Sequence, residues 1–215
     1  MALRKRGYAV DTHVITLDYA QADVAQPWPQ NWRDYDLIVP MGSIRSLTDK
    51  ASIANWVFDE LELLRKAHES DTPMLGICFG GQLLSDALGG SVEKAPVGEF
   101  GWTRIEGAGN PVGPGPWMQW HHDRFTPPAE AELLAHTDEA AQLFRLGRTV
   151  GAQFHPEVNR THIAGWLGSA VDDYLAECGI DRFALLAETE VQQAHNREQC
   201  FALVDWFLDE VAFPG

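Results

Sequence analysis

The sequence predicts an α/β fold, with a largely parallel β-sheet covered by helices on both faces. Three observations predict it. Strand-like segments rich in β-branched residues alternate with amphipathic helical segments in the first half of the chain. A glycine-rich junction at residues 76–82 stands where a buried apolar strand gives way to a helix. Long helical periodicities then close the chain. Its 215 residues, 45% hydrophobic and 22% charged, suit one large domain with a real core.

The elements follow in order. Residues 10–18 alternate loosely and read as a strand, and residues 36–41 read as a buried one. Pro27 and Pro29 make 26–32 a loop. A helix is expected over 52–70, with Ile53, Trp56, Val57, Leu61 and Leu64 on one face. Pro73 opens a short strand at 74–77, and a second helix runs from 79 to 88, closed by Gly89 and Gly90. From 91 to 154 the pattern is strand-like, broken by a Gly/Pro-rich turn at 107–116. Two helices finish the chain. The first, at 161–178, places Ile163, Trp166, Leu167, Ala170, Val171, Tyr174 and Leu175 on one stripe. The second, at 188–211, carries Phe201, Val204, Phe207, Leu208 and Val211 on its apolar side.

Charge narrows the function. With 31 acidic against 16 basic side chains, a net charge of -15 and a pI near 4.8, the surface field repels phosphate backbones and anionic lipid. Neither nucleic acid nor a membrane is an expected partner. No apolar run is long enough to cross a bilayer, and the opening Met-Ala-Leu-Arg-Lys-Arg-Gly has no apolar stretch of the secretory kind. Three cysteines, Cys78, Cys178 and Cys200, form no disulfide framework or metal-ligand spacing, so a reducing cytoplasm is the expected setting.

The chemistry concentrates in two motifs. Gly-Ile-Cys-Phe-Gly-Gly-Gln at 76–82 is the cysteine version of a nucleophile elbow. Such a turn lifts the Cys78 sulfur to the carboxyl end of the sheet, at a helix N-terminus that favours a thiolate. It also aims the Phe79 backbone N–H at a developing oxyanion. Taken alone, the motif also admits a buried structural cysteine before a glycine-rich helix start, the lesser of the two readings. Gln-Phe-His-Pro-Glu at 153–157 follows a strand. His155 and Glu157 are two apart, so on extended backbone both side chains leave one face, and Pro156 supports that extension. Imidazole activates a thiol and reprotonates a leaving amine near neutral pH, and a carboxylate fixes its tautomer. Together the motifs point to a Cys78–His155–Glu157 triad.

His121, His122 and Asp123 invite a metal reading. Adjacent histidines on a strand face opposite ways, however, and no third histidine stands at helical spacing, so no metal site is assigned. Trp102 and Trp120 read as packing residues near the pocket. No cofactor is called for, and no phosphate-binding glycine loop is present.

These residues resemble class I glutamine amidotransferases, closest to stand-alone relatives of the glutaminase domain of GMP synthase. The resemblance is carried, in order, by Gly-Ile-Cys-Phe-Gly-Gly-Gln, Gly98-Glu99-Phe100-Gly101-Trp102, Trp120-His121-His122-Asp123 and Gln153-Phe154-His155-Pro156-Glu157. It implies a flavodoxin-like, doubly wound sheet, with an amidotransferase domain over 1–160 and C-terminal helices at 161–215 packed on it. It also implies Cys78 as nucleophile, His155 as acid/base and Glu157 as its orienter. The oxyanion would rest on the backbone N–H groups of Gly42 and Phe79. Glutamine would meet Gln82 and the backbone around His122 and Asp123, and the ammonia would pass to a separate synthase. Two other readings fit the same triad: hydrolysis of another γ-glutamyl amide or peptide, and an inactive regulatory scaffold.

Two features depart from the family pattern. The oxyanion loop, usually Gly-Gly-Pro, reads Pro40-Met41-Gly42-Ser43, and Met41 does not easily take glycine-only backbone angles. The opening apolar strand is also missing. The expectation is therefore that the chain begins upstream of Met1 or that another segment fills the gap, with 10–18 and 36–41 not paired side by side.

Overall fold

The computed structural model of the protein describes residues 1–15 and 25–215. Its main sheet has four strands: β1 (Met74–Ile77), β6 (Thr149–Ala152), β5 (Ala141–Leu146) and β4 (Glu132–His136), adjacent in that order. β1 and β6 are parallel, and every residue in both is buried, as befits strands covered on two faces. Leu75, Ile77, Val150 and Ala152 face one core, while Met74 and Phe144 face another. The second core is closed by α2 (Val57–Glu69) and α3 (Phe79–Ala87), through Val57, Leu61, Leu64, Leu83 and Leu84. The first is closed by the far end of α6 (Arg182–Trp206) and the turn that follows it, through Leu203, Val204, Phe207, Leu208 and Val211.

β5 and β4 join the sheet antiparallel. Their connections are short; Gly147, at φ 58, turns the chain between β5 and β6, and a tight hairpin reverses strand direction. A second, two-stranded sheet pairs β2 (Ser91–Thr103) with β3 (Trp117–Thr126), and its register shifts between Lys94 and Glu99. The parallel part of the architecture is thus narrow, and the region 91–154 supplies hairpins.

Residues 36–41 are extended and lie beside β1 without forming a full strand. Ile38 N donates to Pro73 O (3.0 Å), Leu75 N to Ile38 O (3.1 Å) and Ile77 N to Pro40 O (2.9 Å). Among the described residues, 10–15 form no strand and make no backbone hydrogen bond to 36–41; Tyr35 Oη to Asp11 Oδ2 (3.2 Å) is a side-chain contact between the two regions. Residues 16–18 of the expected strand lie outside the described residues.

Three helices differ from expectation, each for a local reason. The helix expected from 52 starts at Val57. Before it, Leu47–Ile53 is a 3-10 run whose first turn is capped by Ser46 and whose Asp49 has non-helical angles. The helix expected over 161–178 breaks into α4 (Arg160–Ser169) and α5 (Asp172–Glu177), with Ala170 extended between them. Gly165 and Gly168 weaken α4, and the Ser169 hydroxyl bonds back to Gly165 O and Trp166 O. Val171, expected on the apolar stripe, is exposed as a result. α6 begins six residues before its expected start, because Asp181 caps it by accepting from Phe183 N and Ala184 N. It ends in a π-helical turn, Phe207–Ala212, that keeps Phe207, Leu208, Val211 and Ala212 buried.

Candidate active site

Cys78 stands between β1 and α3, at φ 53 and ψ −111. Few non-glycine residues adopt a positive φ, and the surroundings enforce this one. Cys78 N donates to Ala152 O (2.8 Å), and Gln82 N donates to Cys78 O (3.0 Å). The start of α3 is wedged between two backbones. A Cβ on Gly80 would lie 2.0 Å from Pro40 O, and one on Gly81 would lie 2.5 Å from Ala152 O. Only glycine permits this approach, which sets the cysteine at the carboxyl ends of β1 and β6.

His155 follows β6 and is tied to the hairpin, its N–H donating to Met118 O (2.8 Å). The chain turns after it, so His155 and Glu157 meet across a turn and not along continuous strand. The contact is close: His155 Nδ1 to Glu157 Oε1 is 2.8 Å. Burial opposes the imidazolium of His155. Electrostatic attraction to Cys78 and Glu157, with the hydrogen bond to the Glu157 carboxylate, outweighs that and holds its pKa well above the ordinary 6.5. Burial also raises the Glu157 carboxyl, but the neighbouring imidazolium wins and the net shift is downward.

Gly42 completes the group. A Cβ there would lie 3.2 Å from His155 Cε1 and 3.9 Å from Cys78 Cβ, so its backbone borders both side chains. Neither Met41 nor Gly42 has a positive φ, so the loop does not demand the glycine-only angles expected of it.

Of the expected substrate contacts, Gln82 is 3% exposed, and its Nε2 donates to Asp123 O (3.0 Å) and Gln153 Oε1 (3.2 Å). Asp123 is buried and hydrogen-bonds the Ser46 hydroxyl. His121 and His122 face opposite ways, as the strand alternation predicts. His121 sits in a buried network with Gln119 (3.1 Å) and Glu99 (3.4 Å). His122 is exposed overall, 3.2 Å from Tyr174 Oη; partial desolvation of its ring by the packing around it, and then Lys94, lower its pKa. Among the described residues no three His, Cys, Asp or Glu side chains group as metal ligands. Burial pushes the thiol of Cys200 up to about 11 and raises that of Cys178.

Two residues near the site had no role in the sequence reading. Gln153 is fully buried, and its Nε2 lies 3.8 Å from Cys78 Sγ. Its signal was its place two positions before His155 in the same motif. Asn196, on α6, donates to Pro156 O and Val158 O (3.0 Å each), clamping both carbonyls beside Glu157. Distance along the chain concealed it. An aromatic row also leads away from His155: Trp166 (4.9 Å between rings), Trp120 (5.5 Å) and Phe100 (6.1 Å), all half-buried.

The sequence profile of the family described as glutamine amidotransferase class-I matches residues 1–165. The GMP synthase [glutamine-hydrolyzing] of Aeropyrum pernix is 37% identical over 119 residues, 51% of this chain and 23% of that protein. That of Vibrio campbellii is 29% identical over 195 residues, 85% of this chain and 34% of that protein. The chain therefore spans about a quarter to a third of the length of these relatives. Among solved structures, a glutamine amidotransferase from Thermotoga maritima superposes with a TM-score of 0.81 at 25% identity, covering 97% of this chain and 90% of that one. A glutamine amido transferase from Methylobacillus flagellatus shares the fold, at a TM-score of 0.68 and 22% identity over 88% of this chain and 82% of that one.

Proposed function

The chain belongs to the class-I glutamine amidotransferase family, and on that premise we propose that it hydrolyses the side-chain amide of glutamine through Cys78, His155 and Glu157. The observation that carries the proposal is the buried His155 held between Cys78 and Glu157, with the Gly42 backbone against it.

In this reaction the Cys78 sulfur attacks the amide carbon, and the oxyanion rests on the Gly42 and Phe79 N–H groups. The C–N bond breaks as His155 gives its proton to the departing ammonia, leaving a γ-glutamyl thioester. Water then attacks the thioester while His155 takes its proton, and the thiolate leaves with glutamate released. Glu157 keeps the imidazole oriented and offsets its charge. The substrate's α-amino and α-carboxylate groups meet the backbone around His122 and Asp123. Gln82 acts from behind, by holding the Asp123 carbonyl. Residues 161–215 belong to the same unit, since Asn196 braces the His155–Glu157 turn. By analogy with GMP synthase relatives, the ammonia passes to a separate synthase. No disulfide links the three cysteines, which fits a cytoplasmic setting.

Hydrolysis of a γ-glutamyl amide with a larger amine is a second reading, favoured by the half-buried aromatic row beside His155. Ammonia release from glutamine, set against amine release from γ-glutamyl-amines and γ-glutamyl peptides, decides between them. Turnover of glutamine, lost in Cys78→Ala, is the expected result. A preference for aromatic γ-glutamyl-amines selects the second reading, and no turnover of either class refutes both.

A further inference from the structure

We propose that Gln153 is a further catalytic residue: its side-chain amide N–H donates to the Cys78 sulfur, and Gln82 holds that amide in place. The proposal rests on the reading of Cys78 as nucleophile. Gln153 lies in the motif that supplies His155 and Glu157, yet the triad gives it no task.

Hydrogen-bond bookkeeping fixes which end of the amide faces the sulfur. The Asp123 backbone carbonyl can only accept, so the Gln82 group that meets it at 3.0 Å must be its amide nitrogen. The same nitrogen meets Gln153 at 3.2 Å and must find an acceptor there, the Gln153 carbonyl oxygen. The Gln153 nitrogen is left facing Sγ, at 3.8 Å. Its backbone is pinned as well, with Gln153 N donating to Gln142 O (2.9 Å). Gln153 is 0% exposed and Gln82 3% exposed, so this is a preset donor in a water-poor place.

Sulfur carries negative charge twice in the cycle: before it attacks the amide carbon, and again as it departs from the thioester. A fixed N–H supports both moments and orients Sγ in between. Its removal slows attack, and it slows thioester breakdown because the thiolate becomes a poorer leaving group. A merely space-filling glutamine would leave both rates unchanged.

The test uses Gln153→Met, which keeps bulk but has no donor, and Gln153→Glu, which keeps the acceptor for Gln82 but not the N–H. The rate of Cys78 alkylation by iodoacetamide at neutral pH, read by mass spectrometry, needs no substrate. It is expected to fall about tenfold in Gln153→Met, the scale of one hydrogen bond to a charged group, and further in Gln153→Glu. Cys178 in the same sample serves as the internal control. With glutamine present, kcat is expected to fall more than KM rises, and the glutamyl thioester on Cys78 to accumulate relative to the unmutated protein. Folded variants with wild-type alkylation rates overturn the proposal. Slowed alkylation in a protein that turns over no γ-glutamyl substrate supports the donor while refuting the glutaminase reading. If neither variant folds, the unmutated protein answers: the Gln153 side-chain amide proton resonance should shift when Cys78 is alkylated. An unmoved resonance overturns the proposal.

Discussion

In the proposed reaction Cys78, His155 and Glu157 have different tasks, and this makes their contributions unequal. Cys78→Ser should abolish amide hydrolysis while the fold persists, measured as ammonia release and thermal unfolding. His155→Ala should cost nearly as much, because without it neither the sulfur nor the leaving ammonia is served. Glu157→Gln disturbs orientation and charge only, and should cost clearly less; equal severity in the two variants would give Glu157 a direct chemical task. Glu157→Gln should also move the pH at which His155 loses its proton. The carboxylate helps hold that pKa well above 6.5, so its removal should shift the titration downward, followed by NMR of the imidazole. The linkage runs the same way. The stability that His155 gains from its partners is fully present below about pH 6.5, its unfolded value, and is lost as pH rises through the higher folded value.

At the scale of elements, the buried Glu60 of α2 makes a second pH prediction of opposite origin. It is 3% exposed, its Oε2 has no hydrogen-bond partner among the described residues, and burial pushes its carboxyl up to about 8. The unfolded chain ionises near pH 4.5 and the folded one near 8, so stability should fall as pH rises through that window, by at most about 1.4 kcal/mol per unit. Glu60→Met should flatten that slope and raise Tm at pH 7.5; an unchanged pH profile would mean that Glu60 finds a partner. The sequence pattern did not reveal this residue, because a lone acid on an amphipathic helix normally faces water. Other elements were legible to different degrees. The strand at 74–77, the helix at 79–88 and the elbow between them were plain, since buried apolar residues and glycines leave little choice. The break at Ala170 and the early start of α6 were missed. They hinge on two glycines, a serine back-bond and an aspartate cap, which periodicity does not register. The proposed triad could be singled out because its members lie within two short motifs. Asn196 was not, because only folding brings it to Glu157.

For the whole molecule, the make-up of the cores on the two sheet faces predicts how the chain tolerates division. One core takes Leu203, Val204, Phe207, Leu208 and Val211 from the C-terminal region and packs them on Leu75, Ile77, Val150 and Ala152 of the sheet. A fragment of residues 1–160 would expose that face, where each large side chain is worth about 1.5–3 kcal/mol on burial. Against a typical net stability of about 5–15 kcal/mol, such a loss is decisive. The fragment should show no cooperative thermal transition by circular dichroism. A fragment with a sharp transition near that of the full chain would show residues 161–215 to be an accessory. Asn196→Leu in the full chain is the finer cut: the core remains, the clamp on the Pro156 and Val158 carbonyls goes, and glutamine turnover should drop more than Tm.

The hairpin of β2 and β3 is a sheet of its own, and Cys78 and His155 straddle the seam between it and the main sheet. Cys78 takes its hold from β6, through Ala152 O, whereas the His155 N–H is bonded to Met118 O of the hairpin. The imidazole is therefore seated by both sheets, and the hairpin's position helps to set its distance from the sulfur. On the proposed reading, a change in the hairpin's seat that displaced the imidazole by about 1 Å from the sulfur would cost on the order of a hundredfold in rate.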